Sequence, residues 1–137
     1  DHYTTFKISI LIETNIIRTY VVSYMVDIES ATEEALNKAR RVYQNNKNID
    51  SSLGFAKIQG LDGRKKEARY FKKRDEFSVS SNSSTHIAAP NGTTVKILEF
   101  GTQSIERKRV AHEAFIEVMK DHGFFEDQDV SVYTRMD

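Results

Sequence analysis

Residues 94–124 read TVKILEFGTQSIERKRVAHEAFIEVMKDHGF, and within this one stretch the apolar period changes from two to 3.6. Val95 and Ile97 fall on one face, with Leu98 and Phe100 on the other, which predicts a central strand over 94–100 covered on both sides. After Gly101, with Thr102 or Ser104 as the cap, Ala111, Ala114, Phe115, Val118, Met119 and His122 recur as a single helical stripe. Gly123 stands where a left-handed C′ residue belongs, and Phe124 can fold back on the last turn. A last short strand follows at Val130, Val132 and Tyr133.

The same reading extends toward the N-terminus. Phe6, Ile8, Ile10 and Ile12 alternate with polar residues, Thr14-Asn15 offers a turn, and Tyr20, Val22, Tyr24, Val26 and Ile28 form the inner face of a return strand over 17–28. Leu11, Val21 and Met25 interrupt the polar faces, so this hairpin too is expected to be covered on its second side. Ser30 with Glu33 predicts a capping box, and Ala35, Leu36, Ala39, Val42 and Tyr43 form a stripe ended by Asn45, Asn46 and Asn48. Residues 55–61 and 64–71 flank Asp62-Gly63 and read as a second hairpin, with Phe77 and Val79 extending its return strand. The polar run 80–85 reads as a mobile surface loop, and Pro90-Asn91-Gly92 as a third turn.

The order is approximately ββαβββαβ. It predicts one α+β domain spanning 1–137, a mainly antiparallel sheet with two helices on one face, in a ferredoxin-like or related α/β sandwich. A chain of 137 residues with 39% hydrophobic residues buries a real core, and the absence of cysteine excludes disulfides, thiolate metal sites and cysteine nucleophiles. No apolar run approaches the roughly 18 residues of a membrane span, and no targeting segment is visible, so a cytoplasmic protein without membrane contact is expected.

Charge is unevenly placed. Twenty basic residues balance twenty acidic ones, yet residues 64–74 carry a net of +6, and Arg107, Lys108 and Arg109 add three more. A basic hairpin bearing Arg69, Tyr70, Phe71, Lys72, Lys73 and Arg74 would neutralise phosphates and offer rings for stacking on single-stranded nucleic acid; lysines protecting an exposed sheet edge are the structural alternative. Cations in the first turns of a helix oppose its dipole. Arg107 and Arg109, with the Ser104 hydroxyl, therefore make a candidate anion site, for which ion pairs with Glu106 or Glu113 are the structural alternative.

The histidines, His2, His86, His112 and His122, lack metal-ligand spacing, and no metal or cofactor is expected. Glu67, Tyr70 and His112 are the candidate proton-transfer groups, with Tyr24 a further phenol, although no GxSxG or GxGxxG accompanies them. Three functions follow. The leading one is a small regulatory or inhibitory protein that docks on a macromolecular partner through its polarised surface. The others are a single-stranded nucleic-acid-binding module using 64–74, and an oligomeric enzyme acting on a nucleotide-like anion between subunits. Leu11, Val21, Met25, Leu98 and Phe100 point to a homo-oligomer.

Overall fold

The structure is a computed structural model that describes residues 7–8, 22–23, 26–49, 52–81, 92–101 and 104–136. Its frame is a four-stranded antiparallel sheet in the order β4-β5-β3-β6, built from β3 (Gly54–Leu61), β4 (Phe77–Ser81), β5 (Thr93–Ile97) and β6 (Ser131–Met136). Three helices accompany it: α1 (Ile28–Asn45), α2 (Lys66–Phe71) and α3 (Ile105–Asp121). The expected α+β sandwich is what forms. A separate antiparallel pair joins β1 (Lys7–Ile8) to β2 (Val22–Ser23). Residues 9–21 and 24–25 of the first hairpin, including Leu11, Val21, Tyr24 and Met25, lie outside the described residues, as do His2, Phe6, His86, Pro90-Asn91 and the greater part of the serine loop.

One face of the sheet is the core. Ala56, Ile58 and Leu61 of β3, Val95 and Ile97 of β5 and Phe77 of β4 are buried, as are Ala31, Ala35, Leu36 and Ala39 of α1 and Ala111, Phe115 and Met119 of α3. Gly60 lets β3 keep this alternation. Ile58 lies opposite Val95 and Leu61 opposite Thr93, so β3 holds one extra residue, and that bulge returns Leu61 to the inner face. Gly60 sits there at φ +90°, and a Cβ would lie 1.9 Å from the Asp129 carbonyl oxygen.

The helix ends follow local chemistry. Asp27, not Ser30, caps α1, its carboxylate accepting the Ser30 N–H at 2.8 Å, so Ile28 opens a helix instead of closing a strand. Ser104 caps α3 through the Arg107 N–H. At the other end Gly123 takes φ +83°, while the Phe124 N–H donates to Met119 and the Gly123 N–H to Lys120, closing the predicted Schellman turn over a buried Phe124.

Residues 64–71 are not a strand. Asp62 does form a turn, its carboxylate accepting the Arg64 N–H at 2.9 Å and its carbonyl the Lys65 N–H at 3.0 Å, but the chain leaves it as α2. Glu67, Ala68 and Phe71 stand at i, i+1 and i+4 and all face inward, a helical spacing in a segment of strong helix formers. Phe71 is fully buried, with its ring 4.9 Å from Phe77, 5.8 Å from Phe115 and 6.2 Å from Phe125. The described order is thus ββαβαββαβ, with a third helix where the second hairpin was expected, and β3 pairs with β5 and β6. The central strand also ends sooner than expected. It stops at Ile97, and Leu98–Phe100 form a 3-10 turn that leaves Leu98 exposed and buries Phe100 against Tyr43, so these two residues do not build a second apolar sheet face. Ser80 and Ser81 belong to β4.

Candidate macromolecule-binding surface

The three cations at the start of α3 are engaged within the fold. Arg107 donates from Nε to the Tyr43 carbonyl at 2.6 Å, and its guanidinium carbon lies 3.7 Å from the centre of the Tyr43 ring. Tyr43 belongs to the last turn of α1, so this cation answers the negative end of one dipole while standing near the positive end of another. Lys108 is buried, its ammonium donating to the carbonyls of Gly54 and Gly101. Arg109 pairs with Glu106 and, at 2.7 Å, with Glu113, and these carboxylates raise its pKa. Ser104, Arg107 and Arg109 therefore each have a partner inside the chain, but only Arg109 finds it in the ion pairs with Glu106 and Glu113; Ser104 and Arg107 meet backbone groups.

The candidate proton-transfer groups are also built into the scaffold. His112 is fully buried; its Nε2 accepts the Ile97 N–H at 3.2 Å, and Nδ1 stands 2.8 Å from the Lys108 carbonyl, which fixes Nδ1 as the protonated nitrogen. Burial pushes its pKa down to about 4, with Lys108 and Lys96 adding to the fall. Glu67, 4% exposed, accepts the Phe125 N–H at 3.0 Å and the Gln128 amide at 3.1 Å, while the Gln128 oxygen accepts the Asp62 N–H at 2.9 Å. The carboxylate thereby holds Phe125 at φ +64°, a conformation costly for an aromatic residue. Tyr70 lies on the same helix as Glu67, not across a strand pair, and its hydroxyl accepts from Arg74 at 3.0 Å.

Segment 64–74 keeps its cations but not its stacking rings. Arg69, Lys72 and Lys73 are exposed, whereas Phe71 is buried, Tyr70 is half-buried, and Arg74 bridges Glu33 and Glu76 at 2.6 Å each. Arg74 holds the Glu76 carboxyl down at about 2. A flat basic hairpin interleaved with exposed aromatics does not exist here.

The sheet face turned away from the helices has the combination sought at 64–74. Along β3 the outward positions are Phe55, Lys57 and Gln59, and the strand register sets Phe55 opposite Arg135, Lys57 opposite Tyr133 and Gln59 opposite Ser131. On the other side β5 contributes Thr94 and Lys96, which face Ser80 and Ser78 of β4. The Lys57 ammonium lies 5.5 Å from the Phe55 ring centre and 5.8 Å from that of Tyr133, and Lys96 lies 5.5 Å from Phe55. A shallow depression runs between Phe55, Lys57, Lys96 and the hydroxyls of Ser78, Ser80 and Thr94. Among the described residues of these four strands no outward position holds a carboxylate or an aliphatic side chain.

Sequence reasoning missed this surface, although its signal was present: the positions alternating with the buried ones in β3, β5 and β6 are basic, aromatic or neutral polar and never acidic. No protein family, curated protein or solved structure was found to match the chain. Among the described residues no helix is long and apolar enough to cross a membrane.

Proposed function

We propose that this chain is a binding domain that docks an anionic macromolecule on the open face of its sheet. The observation that carries the reading is the composition of that face at its described outward positions: Lys57, Lys96 and Arg135 without one carboxylate, in a chain whose twenty cations and twenty acids cancel. Three like charges on a small area attract a polyanion, and here they stand among exposed or half-exposed rings, whereas the cations of 64–74 surround a buried Phe71 and a half-buried Tyr70. The reading keeps a docking role of the kind the charge pattern suggests and assigns it to the sheet face, where the nucleic-acid alternative had looked to 64–74. The engagement of His112, Glu67 and Tyr70 in structural hydrogen bonds favours binding over catalysis.

Retention on immobilised heparin, a polyanion with neither bases nor peptide, tests the reading. The wild type should be held at low salt, and the triple change of Lys57, Lys96 and Arg135 to Gln should elute at clearly lower salt, while the change of Lys65, Lys72 and Lys73 to Gln has the smaller effect. Flow-through of the wild type, or a larger effect at Lys65, Lys72 and Lys73, would overturn it.

A further inference from the structure

We infer that the anionic macromolecule is single-stranded nucleic acid, with Phe55 and Tyr133 as the rings on which two unpaired bases stack. This inference rests on the binding reading above and assigns its partner. A protein partner is ordinarily met by a central cluster of apolar groups inside a polar rim. The described outward strand positions of this face hold no aliphatic side chain, and the apolar groups among them are two rings. Rings among cations suit a ligand that presents flat π-faces on a charged backbone, and this is what unpaired nucleotides present.

The spacing agrees. Phe55 and Tyr133 stand on adjacent strands, offset by two residues, because Phe55 is opposite Arg135 and Tyr133 opposite Lys57. Such diagonal neighbours lie about 7–8 Å apart, the reach of consecutive nucleotides whose bases have come apart from one another. Lys57 is flanked by the two rings, Arg135 stands beside Phe55, and Lys96 lies on its other side, so a backbone crossing the strands passes a cation at each step. Free in solution, the lysine ammonium groups rest over the rings. When bases take those faces, the long side chains turn to the phosphates, and one kind of contact replaces another.

Gln59, Ser78, Ser80, Thr94 and Ser131 border the rings with uncharged donors and acceptors that can meet base edges. A duplex fits poorly, since its bases are already stacked and their faces closed. Tyr133, 39% exposed, is the ring open to a first base.

The test is fluorescence anisotropy of a labelled eight-nucleotide uridine or thymidine oligomer at low salt, with the heparin experiment alongside. Tyr133→Ala and Phe55→Ala should each weaken binding about tenfold, the effect of removing one base–ring stack, and Tyr133→Phe should stay within about twofold. The triple Gln variant should flatten the dependence of binding on salt. Tyr133 is exposed, so its alanine variant folds and decides the matter even where Phe55→Ala does not. Oligonucleotide binding indifferent to both rings, or equally tight binding of a duplex, overturns the inference. Heparin retention with no oligonucleotide binding also overturns it and leaves an acidic protein surface as the partner. Failure of heparin retention sinks the parent reading itself.

Discussion

Lowering the pH from 7 to 5 should cost the fold about 2 kcal/mol through His112 alone. The neutral ring accepts the Ile97 N–H and donates to the Lys108 carbonyl, so both ring nitrogens of this buried side chain are already engaged. An imidazolium would lose that acceptor and stand near the buried Lys108 ammonium. In the unfolded chain the ring protonates near 6.5, and in the fold at about 4. Between these values the unfolded state binds more protons, so the contribution is whole above 6.5 and is lost as pH falls, the loss levelling at about 3 kcal/mol below pH 4. Asp62 and Glu76, held at about 2 by Arg64 and Arg74, lose their contributions as pH falls from the ordinary carboxylate values of 3.8 and 4.5 to about 2, so the greater part of their loss lies below pH 5.

The assay is urea unfolding followed by far-ultraviolet circular dichroism at pH 7 and pH 5. For a slope of about 2 kcal/mol per molar, the wild-type midpoint should fall by about 1 M. His112→Gln, which keeps a donor and an acceptor but cannot charge, should be less stable at pH 7 yet lack this component of the pH dependence. An identical shift in wild type and variant would refute the reasoning.

Three further outcomes follow from the packing. Phe71→Ala should lower stability by about 3–5 kcal/mol in urea unfolding, whereas Lys72→Ala should change it by less than about 0.5 kcal/mol, a contrast that an exposed hairpin would not produce. Glu67→Ala leaves the Phe125 N–H and the Gln128 amide without their acceptor; a loss of about 2–4 kcal/mol is expected, with faster hydrogen exchange at the Phe125 amide as the local readout. Gly60→Ala forces a Cβ toward the Asp129 carbonyl at a backbone angle that L-residues avoid, and its thermal midpoint should drop by more than about 5 °C.

The elements legible in the sequence were those with many repeats of one period. α1 and α3 run 18 and 17 residues, long enough for their stripes to stand out, and Val95 and Ile97 alternate cleanly in β5. α2 was not legible, because six residues make less than two turns and Asp62-Gly63 is equally at home in a hairpin. The cap of α1 was misplaced by three residues, since Asp27 and Ser30 are both good capping residues and only the backbone decides between them. For the site the difficulty is distance along the chain. Arg107 meets a carbonyl of α1 sixty-four residues away, so a sequence shows the charge but not its partner. The open face posed the reverse problem: its alternation lay in plain view, but Lys57, Lys96 and Tyr133 become neighbours only through the order of the strands.

That strand order also governs how the molecule is made. β3 occupies an interior position between β5 and β6, yet β6 is synthesised some seventy residues after β3. At about 5–20 residues per second the nascent chain exposes one unpaired edge of β3 for several seconds, with Ala56 and Ile58 on its apolar side, while α1 waits a similar time for α3. Long-range pairing of this kind makes folding slow. Residues 131–136 thus seal the edge most inviting to another chain, and a chain cut short before Ser131 would leave the ribosome with a template for aggregation where the native protein has a closed interior strand.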